Sequence, residues 1–209
     1  FGAGCKLVTP FLTRQCAIAF SVADSKVTIY NPDGLDVDQL IALKQQGKSV
    51  TEYAGGEKRS GDAIIDINCD IWIPAARPDV IHENNVHRLN ARLVVEGANI
   101  PITHGAEKIL HDKGVLCIPD FIANAGGVIC GAVELTGGTE AQVFPMIDEK
   151  IRGNTAEVLE RMKHERILPR EAAVAMARER LDEAMRYRRF SSGWSVQAPK
   201  PDVELRAVS

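Results

Sequence analysis

The sequence predicts an α/β fold with a doubly wound, mainly parallel β-sheet and a set of C-terminal helices. The first observation is a series of short apolar runs, bounded by polar or turn residues, that suit strands buried on both faces: residues 16–24, 69–75, 91–99 and 114–120. The second is that helical patterns separate these runs, as in a parallel sheet covered by helices on both faces. The third is a change to long amphipathic patterns after about residue 144.

The helical patterns divide into short segments between the strands and two longer ones at the end. The short segments are residues 6–14, 36–47, 83–89 and 105–114. Apolar residues at helical spacing then predict one helix around residues 147–162 and a second after Pro169, which suits a first helical turn. We therefore expect three parts, of which the last is a loose tail without periodicity: residues 1–144, 145–190 and 191–209.

Composition and charge exclude several classes of partner. A formal net charge of -3 gives no electrostatic reason to expect nucleic acid or an anionic membrane as a partner. No apolar run approaches the length that spans a bilayer. The odd number of cysteines and the absence of C-x-x-C predict reduced, buried thiols in a cytoplasmic protein: Cys5, Cys16, Cys69, Cys117 and Cys130.

Two motifs resemble known binding sites but have the wrong spacing. Residues 47–49 (GKS) end like a phosphate-binding P-loop, but Ala42 stands where that motif requires its first glycine, so we expect Gly47 to end a helix. His82 and His87 resemble a zinc-binding pair but are five residues apart, which places them about 140° apart around a helix. We therefore expect surface histidines and no metal site.

The glycine-rich start of the chain fits the phosphate-binding turn of a βαβ unit. In such a turn, backbone amides approach a pyrophosphate at the N-terminus of a helix. Gly2 and Gly4 are followed by a helical pattern, by the apolar run 16–24 and by Asp24 at its end. An acidic residue at about this distance accepts hydrogen bonds from an adenosine ribose. Glycine-rich termini are also common as tags or frayed ends, so this signal alone leaves both interpretations open.

Three longer segments are more specific: residues 23–40 (ADSKVTIYNPDGLDVDQL), 94–103 (VVEGANIPIT) and 114–128 (GVLCIPDFIANAGGV). Together they resemble the cofactor domain of the glutamate/leucine/phenylalanine/valine dehydrogenase family, and the glutamate dehydrogenases most closely. The resemblance covers residues 1 to about 190 and implies a Rossmann-like NAD(P)-binding domain. The family's first turn typically reads G-F-G-N-V-G, so we expect the chain to begin inside it, without the first strand and without the N-terminal substrate domain.

The resemblance implies a set of cofactor-binding positions, taken residue by residue from the matching motifs: Gly2, Ala3, Gly4, Cys5, Asp24, Ser25, Ala75, Ala76, Gly97, Asn99 and Asn124. The first four would hold the pyrophosphate, although three of them depart from the family's usual residues. Asp24 would face the adenosine ribose, while Asn99 and Asn124 would lie on the nicotinamide side. The alternatives are a turn or cap role for Asp24, turn formation for the asparagines and simple packing for the alanines.

The activity that the resemblance implies is reversible oxidative deamination of an L-amino acid. A hydride passes from the substrate Cα to the nicotinamide, and the resulting imine is hydrolysed to a 2-oxo acid and ammonium. The family's catalytic lysine and aspartate belong to the N-terminal domain, so we expect no catalytic residue in this chain and no activity from it alone. The intact enzyme is expected to be a cytoplasmic homo-oligomer. The altered fingerprint leaves a non-catalytic nucleotide-binding module as the alternative.

Two positions bear on specificity. The Asp24 carboxylate can accept from a free 2′-hydroxyl and repels a 2′-phosphate, which favours NAD, while the nearby Lys26 leaves NADP possible. Asn124 and Gly131 are expected to line the substrate pocket. Glutamate enzymes usually carry serine at the place of Gly131, so this glycine points to the leucine, phenylalanine or valine enzymes. Residues 24–103 resemble the glutamate enzymes instead, and we keep glutamate as the first choice.

Overall fold

The computed structural model describes residues 9, 10 and 12–187 of the chain. The β-strands are β1 Ser21–Ala23, β2 Val27–Tyr30, β3 Glu57–Ser60, β4 Cys69–Trp72, β5 Ala91–Val95 and β6 Leu116–Ile118. The α-helices after β2 are α1 Val37–Gln45, α2 His104–Asp112, α3 Asp120–Ala123, α4 Gly126–Leu135, α5 Glu140–Glu165 and α6 Pro169–Arg186. Short 3-10 helices lie at Val50–Glu52, Gly61–Asp66 and Val86–Arg88.

The strands form two separate three-stranded sheets. Strands β4, β5 and β6 pair in parallel, in that order, and α2 connects β5 to β6. This parallel sheet with its helices confirms the α/β, Rossmann-like fold class. Its core lies between the sheet and α2, where Trp72, Val94 and Leu110 belong to one buried cluster.

The second sheet, β1-β2-β3, is antiparallel and was not expected. The turn between β1 and β2 explains it: Asp24 N donates to Val27 O at 3.0 Å, closing a connection of three residues. Two neighbouring parallel strands need a crossover connection of a dozen residues or more. A three-residue turn can therefore join only antiparallel strands. Within the described part of the chain no strand pairs with both β1 and β4, so the two sheets share no backbone ladder.

We predicted that the four apolar runs form strands buried on both faces. Two of the runs are more exposed or shorter than predicted. Within residues 9–10 and 12–187, β4 pairs only with β5, and its Ile71 is 42% exposed. The first run contributes only the three residues of β1, and Cys16 at its start is exposed with φ 63°. The prediction of a buried thiol is therefore wrong at Cys16, whereas Cys117 in β6 is buried.

The helix predicted over residues 83–89 is absent, and a 3-10 turn of three residues, Val86–Arg88, lies within this range. The Asn85 side chain accepts a hydrogen bond from His82 N at 2.9 Å and donates another to Val80 O at 2.9 Å. Such local bonds offer the backbone an alternative to the helix. The sequence patterns also failed to indicate β2, β3 and α4.

The ends of α1 agree with the prediction for Gly47. The helix begins after Asp36, whose carboxylate accepts from Gln39 N at 3.0 Å and caps the first turn. It ends at Gln45, and Gly47 follows with φ 73°, the left-handed conformation in which glycine terminates helices. Residues 47–49 are thus a helix end, as expected.

The two long C-terminal helices are present as α5 and α6. Ala172 and Met176 of α6 and Val158 of α5 pack in one buried cluster with Ile118 and Ile122, beside β6. Helix α5 begins at Glu140 and continues past residue 144, where we expected the first domain to end. The division of the chain into domains stays a prediction. The tail 191–209 lies outside the described residues. None of the described helices is long and apolar enough to cross a membrane.

Candidate functional site

The candidate site lies at the carboxyl ends of β4, β5 and β6. Because these strands are parallel, the segments that follow them, residues 73–76, 96–100 and 119–124, leave the sheet at the same edge. Ligands of open α/β sheets bind at this edge. Five of the predicted cofactor positions lie in these segments: Ala75, Ala76, Gly97, Asn99 and Asn124.

The segments after β4 and β5 are in direct contact. Gly97 N and Ala98 N both donate to Pro74 O, at 3.1 and 2.8 Å. A Cβ added at Gly97 would lie 3.0 Å from the Cβ of Ala75, so a larger residue at Gly97 would require the two segments to shift slightly. The small residues therefore serve packing here, which is the alternative that the sequence left open for Ala75; Ala76 is exposed.

Asn99 and Asn124 are hydrogen-bonded to each other: Asn124 Nδ2 donates to Asn99 Oδ1 at 2.8 Å. Asn99 follows β5 and is exposed, and Asn124 ends α3 and is half-buried. Within the described residues, Asn99 Nδ2 and Asn124 Oδ1 have no hydrogen-bond partner. One amide donor and one amide acceptor are therefore available side by side, which is what recognition of a primary carboxamide requires.

Asp120 holds both asparagine-bearing segments in place. Its Oδ2 accepts from Ile100 N at 2.8 Å, next to Asn99, and its backbone carbonyl accepts from Asn124 N at 2.7 Å. Ile100 has φ 49°, an unfavourable conformation for a β-branched residue. Asp120 thus fixes a strained turn on one side and the end of α3 on the other.

A buried ionic cluster, which we call the Arg170 cluster, lies directly behind these segments. Arg170, in the first turn of α6, donates from Nη2 to Glu96 Oε2 at 2.8 Å, from Nε to Glu107 Oε2 at 2.8 Å and from Nη1 to Asp120 Oδ1 at 3.0 Å. The side chains of Glu96 and Glu107 are 0% and 1% exposed. Buried carboxylates need such a partner to remain ionised.

Two carboxyl groups of the Arg170 cluster, Glu96 and Asp120, shift in opposite directions in pKa. Burial raises the pKa of Glu96 to about 7, against the opposing attraction of Arg170 and with added repulsion from Glu107 and Asp120. Its Oε1 is buried and has no hydrogen-bond partner. Burial alone would also raise the pKa of Asp120, but hydrogen bonds from Ile100 N and Arg170 hold it below its usual value. Of Glu96 and Asp120, Glu96 is therefore the one that takes up a proton first as the pH falls.

The sequence patterns missed the Arg170 cluster. The one local signal was an acidic residue, Glu96, directly after a buried strand, where an ionised group requires a partner. Its partner Arg170 is 74 residues further along the chain, and no spacing rule connects the two.

Asp24 lies at the end of β1 and its side chain is only 11% exposed. Its carboxylate accepts hydrogen bonds from five donors: Lys26 N, Val27 N, Lys44 Nζ, Ser49 Oγ and Val50 N. Burial alone would raise the pKa of Asp24, but these bonds, led by that from Ser49, hold it well below its usual range. The geometry thus gives Asp24 the turn-anchoring role that the sequence left as the alternative, and a ribose would have to displace one of these donors. The neighbouring Ser25 is exposed.

The remaining predicted positions show no assembled site. Gly131 is exposed in the middle of α4, and an added Cβ there would meet no atom within 4 Å, so it does not relieve crowding among the described residues. The turn formed by Gly2, Ala3, Gly4 and Cys5 lies outside the described residues. Across residues 9–10 and 12–187 no group of three or more His, Cys, Asp or Glu side chains could hold a metal ion.

The amino-acid sequence of the chain matches a known family over almost its whole length. Residues 1–189 match the family model described as Glutamate/Leucine/Phenylalanine/Valine dehydrogenase. The chain belongs to this dehydrogenase family. The resemblance read from the three segments around Asp24, Asn99 and Asn124 is thereby confirmed.

Curated and solved members of this dehydrogenase family agree with this assignment. A glutamate dehydrogenase of Aeropyrum pernix is 38% identical over 194 residues, which cover 88% of this chain and 46% of that protein. An NADP(+)-dependent glutamate dehydrogenase of Pyrobaculum calidifontis is 36% identical over 196 residues, covering 88% of this chain and 46% of that protein. The hetero-hexameric glutamate dehydrogenase of Thermus thermophilus, solved in a Leu-bound form, matches with a TM-score of 0.77 at 25% identity, over 89% of this chain and 45% of that one. The chain thus spans about half the length of these relatives.

Proposed function

We propose that this chain is the NAD(P)-binding domain of an amino-acid dehydrogenase that converts an L-amino acid, with glutamate favoured, reversibly to a 2-oxo acid and ammonium. The observation that carries the proposal is the Asn99–Asn124 pair at the carboxyl ends of β5 and β6. Membership of the dehydrogenase family and the names of the relatives support it.

The asparagine pair suits the nicotinamide end of the cofactor. Asn99 Nδ2 would donate to the carboxamide oxygen, and Asn124 Oδ1 would accept from the carboxamide nitrogen. The nicotinamide supplies the hydride chemistry when it is bound, and the chain supplies its orientation. The small Ala75 and Gly97 keep bulky side chains away from the same edge of the sheet.

At the adenosine end we propose NAD as the cofactor, with NADP possible. The carboxylate of Asp24 repels a 2′-phosphate, but its ion pair with Lys44 Nζ at 3.2 Å offsets part of that negative charge. The exposed Ser25 and Lys26 are the neighbouring groups that could contact a 2′-substituent. We keep Gly2, Ala3, Gly4 and Cys5 as the proposed pyrophosphate turn.

Catalytic groups, substrate contacts and assembly are proposed to lie mainly outside these residues. We propose that Asn124 and Gly131 contribute to the substrate pocket and that the catalytic lysine and aspartate come from another domain. The hetero-hexameric assembly of the Thermus relative supports an oligomer, and we propose that this one consists of identical subunits in the cytoplasm. A substrate of the leucine, phenylalanine or valine type is the alternative that Gly131 favours.

A second candidate is a nucleotide-binding module without catalysis. It is favoured by the hydrogen bonds that the Asp24 carboxylate already accepts from Ser49 Oγ and Val50 N within the chain. Two measurements on the product of the complete gene separate the candidates. Calorimetric titration with NADH and NADPH tests binding, and reduction of NAD or NADP in the presence of glutamate, leucine, valine or phenylalanine tests turnover. Binding with turnover supports the enzyme, binding without turnover supports the module, and the absence of binding contradicts both.

A further inference from the structure

We propose that Arg170 is a positioning residue for the Asn99–Asn124 pair and that it acts on the pair through Asp120. The inference rests on the proposed function, because it assigns Arg170 to the nicotinamide side of the same site. Arg170 touches neither asparagine in the hydrogen-bond network of the described residues, so its effect must pass through the carboxylate between them.

The first step is the contact between Arg170 and three elements of the sheet region. Its guanidinium pairs with Glu96 after β5, with Glu107 in α2 and with Asp120 at the start of α3. The guanidinium is planar with donors in a rigid fork, so three carboxylates held by one fork have fixed relative positions. The C-terminal helix α6 thereby sets where the segments after β5 and β6 lie relative to each other.

The second step is the double role of Asp120. One oxygen, Oδ1, is held by Arg170 at 3.0 Å, and the other, Oδ2, holds Ile100 N at 2.8 Å. The backbone carbonyl of the same residue holds Asn124 N at 2.7 Å. A shift of Asp120 therefore moves the residue next to Asn99 and the backbone of Asn124 together.

The third step is the strain in the turn that Asp120 holds. Ile100 has φ 49°, and Asp79, which donates from its N to Ile100 O at 2.9 Å, has φ 51°. Aspartate tolerates this left-handed conformation, but it is unfavourable for the β-branched Ile100, which keeps it because surrounding contacts enforce it. Without the bond from Asp120, the segment is free to relax and to carry the amide of Asn99 away from that of Asn124.

The fourth step is the charge balance of the Arg170 cluster. Three carboxylates surround one guanidinium, and Oε1 of Glu96 is already buried without a partner. Among the described residues, His104 also lies beside the cluster, with its Nδ1 4.0 Å from Glu107 Oε2. Removal of the guanidinium would leave Glu96, Glu107 and Asp120 to repel one another, which displaces Asp120 from Ile100 N.

The test uses the product of the complete gene and compares two ligands that differ only in the nicotinamide. Arg170→Met should weaken binding of NADH about tenfold and change the affinity for ADP-ribose less than about twofold, because only the asparagine pair is displaced. Arg180→Met is the matched control: Arg180 lies on the same helix and pairs with Glu157 at 2.6 Å on the surface. If NADPH binds better than NADH, it and 2′-phospho-ADP-ribose replace the two ligands.

A double-variant cycle separates positioning from general damage. If Arg170 acts on the pair, Arg170→Met added to Asn124→Ala should cost little further NADH affinity, since the contact it positions is already gone. Equal losses for NADH and ADP-ribose, or additive losses in the cycle, would overturn the inference. Asp120→Asn, which keeps the size but removes the ion pair with Arg170, should reproduce the nicotinamide-selective loss and decides the matter if Arg170→Met does not fold.

The outcomes also distinguish this inference from the proposed function. If the unmodified protein binds neither dinucleotide, the proposed function is wrong. If it binds NADH or NADPH and Arg170→Met behaves like Arg180→Met, the proposed function stands and the positioning role is wrong.

Discussion

Arg170 and Asp120 form an ion pair of 3.0 Å that joins the first turn of α6 to the first residue of α3. The two residues are 50 positions apart in the sequence. Through Asp120 this pair connects the closing helices of the chain to the edge of the parallel sheet where Asn99 and Asn124 meet. The C-terminal helices are therefore part of the support of the candidate site as well as part of the core.

The asparagine pair should matter for nicotinamide recognition. We expect Asn124→Ala in the product of the complete gene to lower kcat/KM for the amino acid about tenfold or more, because a positioned hydrogen-bonding group is lost. Steady-state kinetics on glutamate with NAD and NADP measure this. Asn154→Ala is the control, since Asn154 is also a hydrogen-bonded asparagine but pairs with Arg180 between the long helices. Equal activity of the two variants would contradict a cofactor role for Asn124.

Glu96 should make stability depend on pH. Its pKa is about 7 in the folded protein and 4.5 ordinarily, so between these values the folded state keeps a proton that the unfolded chain has released. The free energy of unfolding should therefore contain a contribution that is complete below the lower value and is lost as the pH rises through the higher one. Relative to the unmodified protein, Glu96→Gln should gain on the order of 2 kcal/mol between about pH 5 and about pH 8.

Urea unfolding at several pH values measures this difference. Glu157→Gln, which alters an ion pair on the surface, should leave the pH dependence unchanged. A constant difference between Glu96→Gln and the unmodified protein across the range would show that Glu96 is ionised throughout.

Asp24 should be important for stability whatever its role in cofactor binding. Asp24→Ala removes the acceptor for five donors in a side-chain environment that is only 11% exposed, so we expect a loss of about 2–4 kcal/mol in the free energy of unfolding. The pKa of Asp24 is lowered, so its contribution is present above the unfolded-state pKa and disappears only in strong acid.

The matched control for Asp24 is Asp70→Ala. Asp70 is 83% exposed and lies 3.6 Å from Arg92, and removal of such a surface pair should change stability by less than about 0.5 kcal/mol. Thermal or urea unfolding of both variants shows whether the Asp24 carboxylate stabilises the fold or contributes no more than a surface carboxylate. A similar stability of both variants would favour an Asp24 that is available for a ribose.

Gly131 tests the choice of substrate. Gly131→Ser should be tolerated, because an added Cβ meets no atom within 4 Å and a glycine inside a helix is unfavourable. If Gly131 lies in the substrate pocket, the new hydroxyl should raise the ratio of kcat/KM for glutamate to that for leucine, by about tenfold. Gly127→Ser is the control, since Gly127 lies in the same helix with equally open surroundings. The same ratio in both variants would remove Gly131 from the pocket.

Local patterns were sufficient for the parts of the fold that rest on local chemistry. The apolar runs gave rise to β4, β5 and β6, the helical spacing to α1, α2, α5 and α6, and Gly47 ended α1 as expected. Period and turn chemistry act over a few residues, so a single sequence expresses them directly. The motifs around Asn99 and Asn124 also carried the family assignment.

Other features depended on groups that are distant in the sequence. The Asp24 carboxylate accepts from Lys44 Nζ, Ser49 Oγ and Val50 N, donors 20 to 26 residues further along the chain, and its role toward a ribose stays a prediction. Arg170 gave no signal of its own in a helix rich in arginine and glutamate, and its partners Glu96 and Asp120 lie 74 and 50 residues away. Sequence alone thus determined the strands of the parallel sheet, four of the helices and the two asparagines. The folded chain determined which carboxylates are buried, what neutralises them and how the asparagines are held, because burial and pairing arise only when remote segments pack together.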